Sequence, residues 1–285
     1  MIKIILVPLD GTQPSADVLS TALVVANRFG SHIKCVHVRE PSNEPFMFSG
    51  MPESYRKEFL DMSNKAHDAV AEQVQAQFDE LIAQGVKKTK KPSAAPEVTA
   101  SLHLYEGDAE TVLVREARLV DVVALSRPRK HRIGGAGVGE LHESLMLRSG
   151  RPVLIVPPAP EWQAHKVEHA AIGWNDSVEA SRALSMTLPW LTQMKKVTVL
   201  VSKKREEGVG EVTEYLKWHG CKADYHILSG RGTNVGKRML DSCAEIGAEF
   251  LVVGGFSHAR TRQRFFGGVT SHLLGNTNII TVMAH

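Results

Sequence analysis

Apolar residues occur along this chain in short continuous runs, separated by stretches in which they recur three and four residues apart. Ile4-Ile5-Leu6-Val7 runs into the polar turn Pro8-Leu9-Asp10-Gly11-Thr12, and Ala16, Leu19, Ala22, Leu23 and Ala26 follow at helical spacing. The pattern predicts a buried strand, a turn and a helix. The same order returns at Ala170-Ala171-Ile172-Gly173, Trp174-Asn175-Asp176-Ser177 and then Ala180, Ala183, Leu184 and Leu188. Two further pairs match at one constant offset. Asp121–Ser126 answers Glu249–Gly254, and Pro152–Val156 answers Ile280–Ala284. Between them lie β-branched runs at Ile33–Val38, Val98–Leu104, Val197–Val201 and Ala223–Leu228, alternating with helical patterns. Strand and helix in alternation imply parallel strands joined by right-handed crossovers.

The repeat sets the domain organisation. Pro157-Pro158-Ala159-Pro160 cannot continue a strand ladder, because proline lacks the backbone N–H, and a polar stretch follows it. The expected division is a first domain over 1–156, a linker over 157–167 and a second domain over 168–285. A long amphipathic helix is predicted from Glu53 to about Gln84, and a loop rich in Lys, Pro, Ser and Ala from Lys87 to Pro96. The corresponding helix of the second half is shorter, Gly208 to His219.

Composition narrows the class. With 285 residues, 43% hydrophobic and 23% charged, and a formal net charge of +3, the chain has material for two cores and no charge excess that asks for nucleic acid. No run approaches the roughly 20 apolar residues of a membrane span. The N-terminal apolar run is too short for a signal peptide, so a cytoplasmic protein with no membrane partner is expected. Cys35, Cys221 and Cys243 are widely spaced in apolar surroundings and read as core packing.

The candidate chemistry lies near the C-terminus. Leu251-Val252-Val253 meets Gly254 and opens into GGFSHARTRQRFFGGVT, an apolar strand running through a glycine-punctuated basic loop into a new helix. Such a loop presents backbone N–H groups and a helix N-terminus to a phosphate. Gly254 lets the backbone pass close to a ligand, Ser257 adds a hydroxyl, and His258, Arg260, Arg262 and Arg264 add cationic donors. Gly267 and Gly268 begin the next helix, with the Thr270 hydroxyl two residues on. The turn Trp174-Asn175-Asp176 also leaves a strand at its carboxyl end, where open α/β sheets bind ligands. Trp174 serves equally as packing or as a stacking platform, and Asn175 and Asp176 equally as ligand contacts or as a helix N-cap beside Ser177. Other motifs fail on spacing or chemistry. Gly134–Gly139 lies too far past its strand for a dinucleotide fingerprint, and Gly236-Lys237 lacks the first glycine and the hydroxyl of a P-loop. His165 and His169 have no third ligand beside them. No nucleophile with a paired base can be assembled, so no catalytic residue is assigned.

The tandem openings ILVPLDGT and AAIGWNDS, with VVGGFSHAR, FFGGVT and TVMAH near the end, resemble the universal stress protein family over nearly the whole chain. The resemblance implies two tandem Rossmann-like α/β domains, each an open, mostly parallel five-stranded sheet flanked by helices. Many members bind ATP through G-x2-G-x9-G-[S/T]. Here that pattern falls on Gly254, Ser257, Gly267 and Gly268, with Ser257 in place of a glycine and Gly268 in place of the hydroxyl. The family's aspartate after the first strand falls on Asn175 of the second half, whereas Asp10-Gly11 keeps it in the first. The first-half pattern falls on Ser126, Arg129, Gly139 and Glu140, and a carboxylate at the phosphate turn predicts no ATP there. The resemblance thus implies a stress-response protein that binds ATP or a related adenine nucleotide in its second domain, with Mg2+ as a companion ion, and is non-catalytic or only slowly hydrolytic. Two alternatives stand beside it: a nucleotide-free interaction module of the same fold, and an ATP-dependent enzyme of the wider nucleotide-binding α/β group. Pairing through final strands, as family members do, implies an intramolecular pseudo-dimer and leaves room for a homodimer, with protein partners not specified.

Overall fold

A computed structural model describes residues 1–40, 52–92, 97–128, 140–158, 167–230, 232–255 and 268–285. Its contacts group into two compact units, one of Lys3–Val120 and one of Asp121–His285 together with Met1–Ile2.

In the first unit β1 (Ile4–Pro8) pairs in parallel with β2 (His32–Arg39), β2 with β4 (Thr99–Glu106), and β4 with the two-residue β3 (Lys87–Lys88). Helix α1 (Gln13–Phe29) begins with Pro14 in its first turn, where a missing N–H costs nothing. It ends at Gly30, whose φ of 62° supplies the left-handed cap. Val18, Leu19, Ala22 and Ala26 form its buried stripe. The long helix predicted from Glu53 is α2 (Glu53–Ala83), yet only Val74, Phe78 and Leu81 of it are buried. Its C-terminal third therefore carries its tertiary stabilisation. Helix α3 (Ala109–Ala117) starts at Asp108, whose side chain accepts from Thr111 N at 2.7 Å. The stretch expected as a loop from Lys87 departs from that expectation. Lys87 and Lys88 extend the sheet, and Thr89 N still donates to Ala100 O at 2.9 Å. Residues 93–96 of that stretch lie outside the described residues.

The second unit holds β5 (Val122–Ser126), α4 (Glu140–Ser149), β6 (Val153–Val156), β7 (His169–Gly173), α5 (Val178–Leu191), β8 (Lys196–Val201) and α6 (Val209–Trp218). After them come β9 (Ala223–Ile227), α7 (Val235–Ile246), β10 (Phe250–Gly254), α8 (Gly268–Asn276) and β11 (Ile280–Ala284). The strand order is β5-β6-β11-β10-β7-β8-β9. Every pairing is parallel except β6 with β11, which is antiparallel with Leu154 opposite Val282. This ladder explains why the compact division falls after Val120, upstream of the 157–167 segment. β6 is hydrogen-bonded to β11 and holds β5 and α4 with it. Strands such as β6 and β11 are buried at every position, as parallel α/β sheets covered on both faces require. The three cysteines are buried and free, and burial pushes the Cys35 and Cys243 thiols up to about 12. Among the described residues no helix is long and apolar enough to cross a membrane.

Candidate functional site

Within the second unit, β9-β8-β7-β10-β11 is the doubly wound order in which the chain runs outward from β7 one way and from β10 the other. Between β7 and β10 the crossovers diverge and leave a crevice at the carboxyl ends of the strands. A cavity of about 340 Å³ occupies that place. Gly173, Trp174 and Asn175 line it from β7, Val253 and Gly254 from β10, and Ser202 and Arg205 from the segment after β8. Leu228 follows β9, and Val235 and Met239 come from α7. Gly268, Val269 and Thr270 come from the first turn of α8. The first turns of α7 and α8 thus meet at one cavity, where the positive ends of their helix dipoles favour an anion. Arg205 adds a full charge, and no carboxylate lines the cavity among the described residues.

Local bonding fixes the rim. Asn175 Oδ1 accepts from Ser177 N at 3.3 Å, and Ser177 Oγ caps α5 by accepting from Ala180 N at 3.2 Å. The cap is therefore Ser177, and Asn175 keeps its amide N–H groups for other partners. Asp176 sits at φ 58°, in the left-handed region that aspartate tolerates better than most residues. That conformation turns its carboxylate out to solvent, 3.7 Å from Arg205 Nη1, so it does not line the cavity. Asn234 caps α7 through Lys237 N at 2.9 Å, and Arg238 donates to Ser229 O and Leu228 O at 2.9 and 2.7 Å. Gly236, the glycine of the failed P-loop pattern, is a packing residue, since an added Cβ would lie 3.0 Å from His272 Cβ and from Val269 O.

Of the sequence-derived candidates, Trp174, Asn175, Gly254, Gly268 and Thr270 meet at this cavity, and Asp176 lies beside it. Ser257, His258, Arg260 and Gly267 lie outside the described residues, as do Arg262 and Arg264. Gly254 has a different reason from the one expected. A Cβ there would come within 2.5 Å of Ala180 N and 2.6 Å of Glu179 C, so its space belongs to the start of α5 rather than to a ligand. Gly268 has no such neighbour within 4 Å. Sequence reasoning missed Ser202, Arg205, Leu228, Val235 and Met239. Their signal was only positional, because Ser202 and Leu228 follow directly on the carboxyl ends of β8 and β9.

The corresponding turn of the first unit is differently furnished. Asp10 Oδ1 accepts from Thr12 N at 3.0 Å and Thr12 Oγ1 at 2.6 Å. Burial raises the Asp10 pKa, but these bonds and one from Ser15 together hold it below its ordinary value. Helix α2 covers the turn. Gln77 Nε2 donates to Thr12 O at 2.9 Å, and a Cβ on Gly11 would lie 3.0 Å from Gln73 Cβ and from Gln73 Oε1. Arg129 and Gly139 of the first-half pattern lie outside the described residues. The Ser126 carbonyl accepts from His142 Nε2 at 2.8 Å, and burial holds that imidazole neutral. Asp10→Asn should lower stability by about 1 kcal/mol at neutral pH. Because the folded pKa is depressed, this advantage is present above the unfolded value of 3.8 and disappears as pH falls through the lower folded value. Thermal melts of both proteins across that range check it, since the two curves should converge in acid.

The model of the Universal stress protein family matches residues 1–157. A universal stress protein from Archaeoglobus fulgidus DSM 4304 superposes with a TM-score of 0.64 at 14% identity, covering 99% of this chain and 97% of that one. A candidate universal stress protein from Pseudomonas aeruginosa UCBPP-PA14 does so with a TM-score of 0.58 at 13% identity, covering 99% and 93%. Both are similar to this chain in fold. No curated protein matches the sequence.

Proposed function

The chain belongs to the universal stress protein family, and from that membership we propose that it binds ATP or a related adenine nucleotide in its second repeat, over residues 168–285. The observation that carries this reading is the convergence of two helix N-termini and Arg205 on a cavity at the strand-order switch that no carboxylate lines among the described residues. Its volume of about 340 Å³ suits a small-molecule ligand. In this reading the α8 turn and Arg205 hold phosphate, and Trp174 and Asn175 meet the base or ribose. With no carboxylate among the described lining residues, Mg2+ would arrive on the nucleotide's phosphates, and the Ser202 and Thr270 hydroxyls are lining oxygens it would meet. The first repeat, over 1–156, is proposed not to take the same ligand, because α2 stands on its Asp10–Thr12 turn. The antiparallel β6–β11 ladder supports an intramolecular pseudo-dimer of the two repeats. The protein is read as a binding protein in which the nucleotide sets conformation or partner choice, with hydrolysis slow at most.

Native mass spectrometry of the purified protein, followed by calorimetric titration with ATP, tests the assignment. One nucleotide per chain is expected, and Arg205→Ala should weaken binding about tenfold, as loss of one charge-assisted contact does. A protein that purifies empty and gives no heat with millimolar ATP would establish the interaction-module reading instead.

A further inference from the structure

A second cavity, of about 500 Å³, lies wholly within the Lys3–Val120 unit. It sits at the amino ends of the strands. Lys3 precedes β1, and His32 and Thr99 are the first residues of β2 and β4, whereas the Asp10 turn follows the carboxyl end of β1. Its polar wall is a continuous chain of hydrogen bonds. Thr99 Oγ1 lies 2.8 Å from His32 Nδ1, His32 Nε2 lies 2.9 Å from Ser101 Oγ, and Ser101 Oγ lies 2.9 Å from His103 Nε2. Both imidazoles are depressed below their ordinary pKa and so are neutral: burial is the largest cause for each, His103 and then Lys34 add to it for His32, and Lys34 and Lys90 add to it for His103 against an opposing effect of Glu116.

Neutral imidazoles make the chain directional. Ser101 has one hydroxyl proton, so it donates to one histidine and accepts from the other. In one direction His32 donates to Thr99, Ser101 to His32 and His103 Nε2 to Ser101, which leaves His103 Nδ1 as an acceptor. In the other, Thr99 donates to His32, His32 Nε2 to Ser101 and Ser101 to His103, which leaves His103 Nδ1 as an N–H donor. Nδ1 has no hydrogen-bond partner among the described residues, and His103 lines the cavity. An anion there selects the second direction, and both imidazoles change tautomer together.

The charge around the cavity specifies the ligand. Among the described residues Lys3, Lys34, Lys90 and Lys91 line it against one carboxylate, Glu97, which is paired with Lys87 at 3.0 Å. Lys34 is held at 2.7 Å by Glu116, which Arg115 also pairs at 2.9 Å. Lys90 and Lys91 make no ion pair with described residues. The donors are ammonium groups and a single imidazole N–H carried by separate segments: Lys3 before β1, Lys34 on β2, Lys90 and Lys91 after β3, and His103 on β4. Such point donors suit the tetrahedral oxygens of phosphate better than the planar fork a carboxylate prefers. Ile4, Pro92 and Leu119 give the remaining wall an apolar surface for an organic portion. We propose that this cavity binds a small phosphorylated metabolite, at the opposite end of the strands from the Asp10 turn and independently of the second-repeat nucleotide site.

The test uses the full chain labelled with 15N-histidine, with inorganic pyrophosphate as the probe. Long-range 1H–15N spectra distinguish the two neutral tautomers of each imidazole. Millimolar pyrophosphate should saturably convert His103 to its Nδ1–H form and His32 to its Nε2–H form. The double variant Lys90→Glu/Lys91→Glu, at exposed positions and with an unchanged melting temperature, should weaken the response roughly tenfold or more. Arg205→Ala, in the other unit, should leave it unchanged. Histidine spectra that do not respond, that respond equally to sodium chloride of matched ionic strength, or that respond undiminished in the double variant would overturn the proposal.

Discussion

Replacing Gly254 by alanine is expected to destabilise the Asp121–His285 unit by about 3 kcal/mol, at the upper end of overpacking costs. The added methyl would stand 2.5 Å from Ala180 N and 2.6 Å from Glu179 C. Both are backbone atoms in the first turn of α5, so no side-chain rotation relieves the contact. The helix must retreat from β10, and that retreat strains the packing of Trp190 on Phe250, whose rings lie 5.8 Å apart. A loss of this size should lower the melting temperature by roughly 6–12 °C for a unit of this length. Trp174, Trp190 and Trp218 belong to this unit, Trp162 lies outside the described residues, and the sequence from Lys3 to Val120 contains no tryptophan, so tryptophan fluorescence in urea does not report on the Lys3–Val120 unit. Gly268→Ala is the matched control. Its methyl meets nothing within 4 Å, and its stability should equal that of the wild type or exceed it slightly. Equal midpoints for the two variants would refute the packing role assigned to Gly254.

That contrast shows where sequence legibility ends. The strands were readable because a parallel sheet covered on both faces needs continuous apolar runs, and β10 begins at Phe250, within one residue of the expected Glu249. The site was readable in part because Asn175, Gly254 and Gly268 all sit at turns where strand and helix meet. What these residues do there was not readable. Gly254 looks alike whether a ligand or a helix occupies the space before it, and only the position of Ala180 decides. Asp176 and Asn175 are neighbours of similar chemistry, yet a φ of 58° sends the aspartate to solvent and leaves the asparagine on the rim. Arg205 comes from a different crossover and shares no local pattern with the glycine loop. The His32–Ser101–His103 chain did leave a trace, since Thr99, Ser101 and His103 are polar residues two apart on β4 and therefore share one face. Their partner His32 lies 67 residues before Thr99, and no local period links them.

Gly268→Asp should separate stability from ligand binding by moving them in opposite directions. Gly268 is the first residue of α8, where a carboxylate meets the positive end of the helix dipole and stabilises it by about 0.3–1 kcal/mol. The open space around it admits the side chain without strain. If phosphate is bound at this turn, the same carboxylate opposes it. Two like charges about 4 Å apart repel by about 1 kcal/mol in water and about 4 kcal/mol at the effective dielectric of a protein surface. ATP affinity should therefore fall between about fivefold and several hundredfold while the melting temperature holds or rises. Gly268→Ser supplies the hydroxyl that the family pattern carries at this position, and one added hydrogen bond should tighten binding about two- to tenfold. Calorimetric titration of the three proteins, with urea melts on the same samples, gives both quantities. Loss of affinity together with loss of stability would point to damage of the fold. Unchanged affinity in a stable Asp variant would show that no phosphate lies at the α8 turn, and the function would then have to be sought on surfaces away from this cavity.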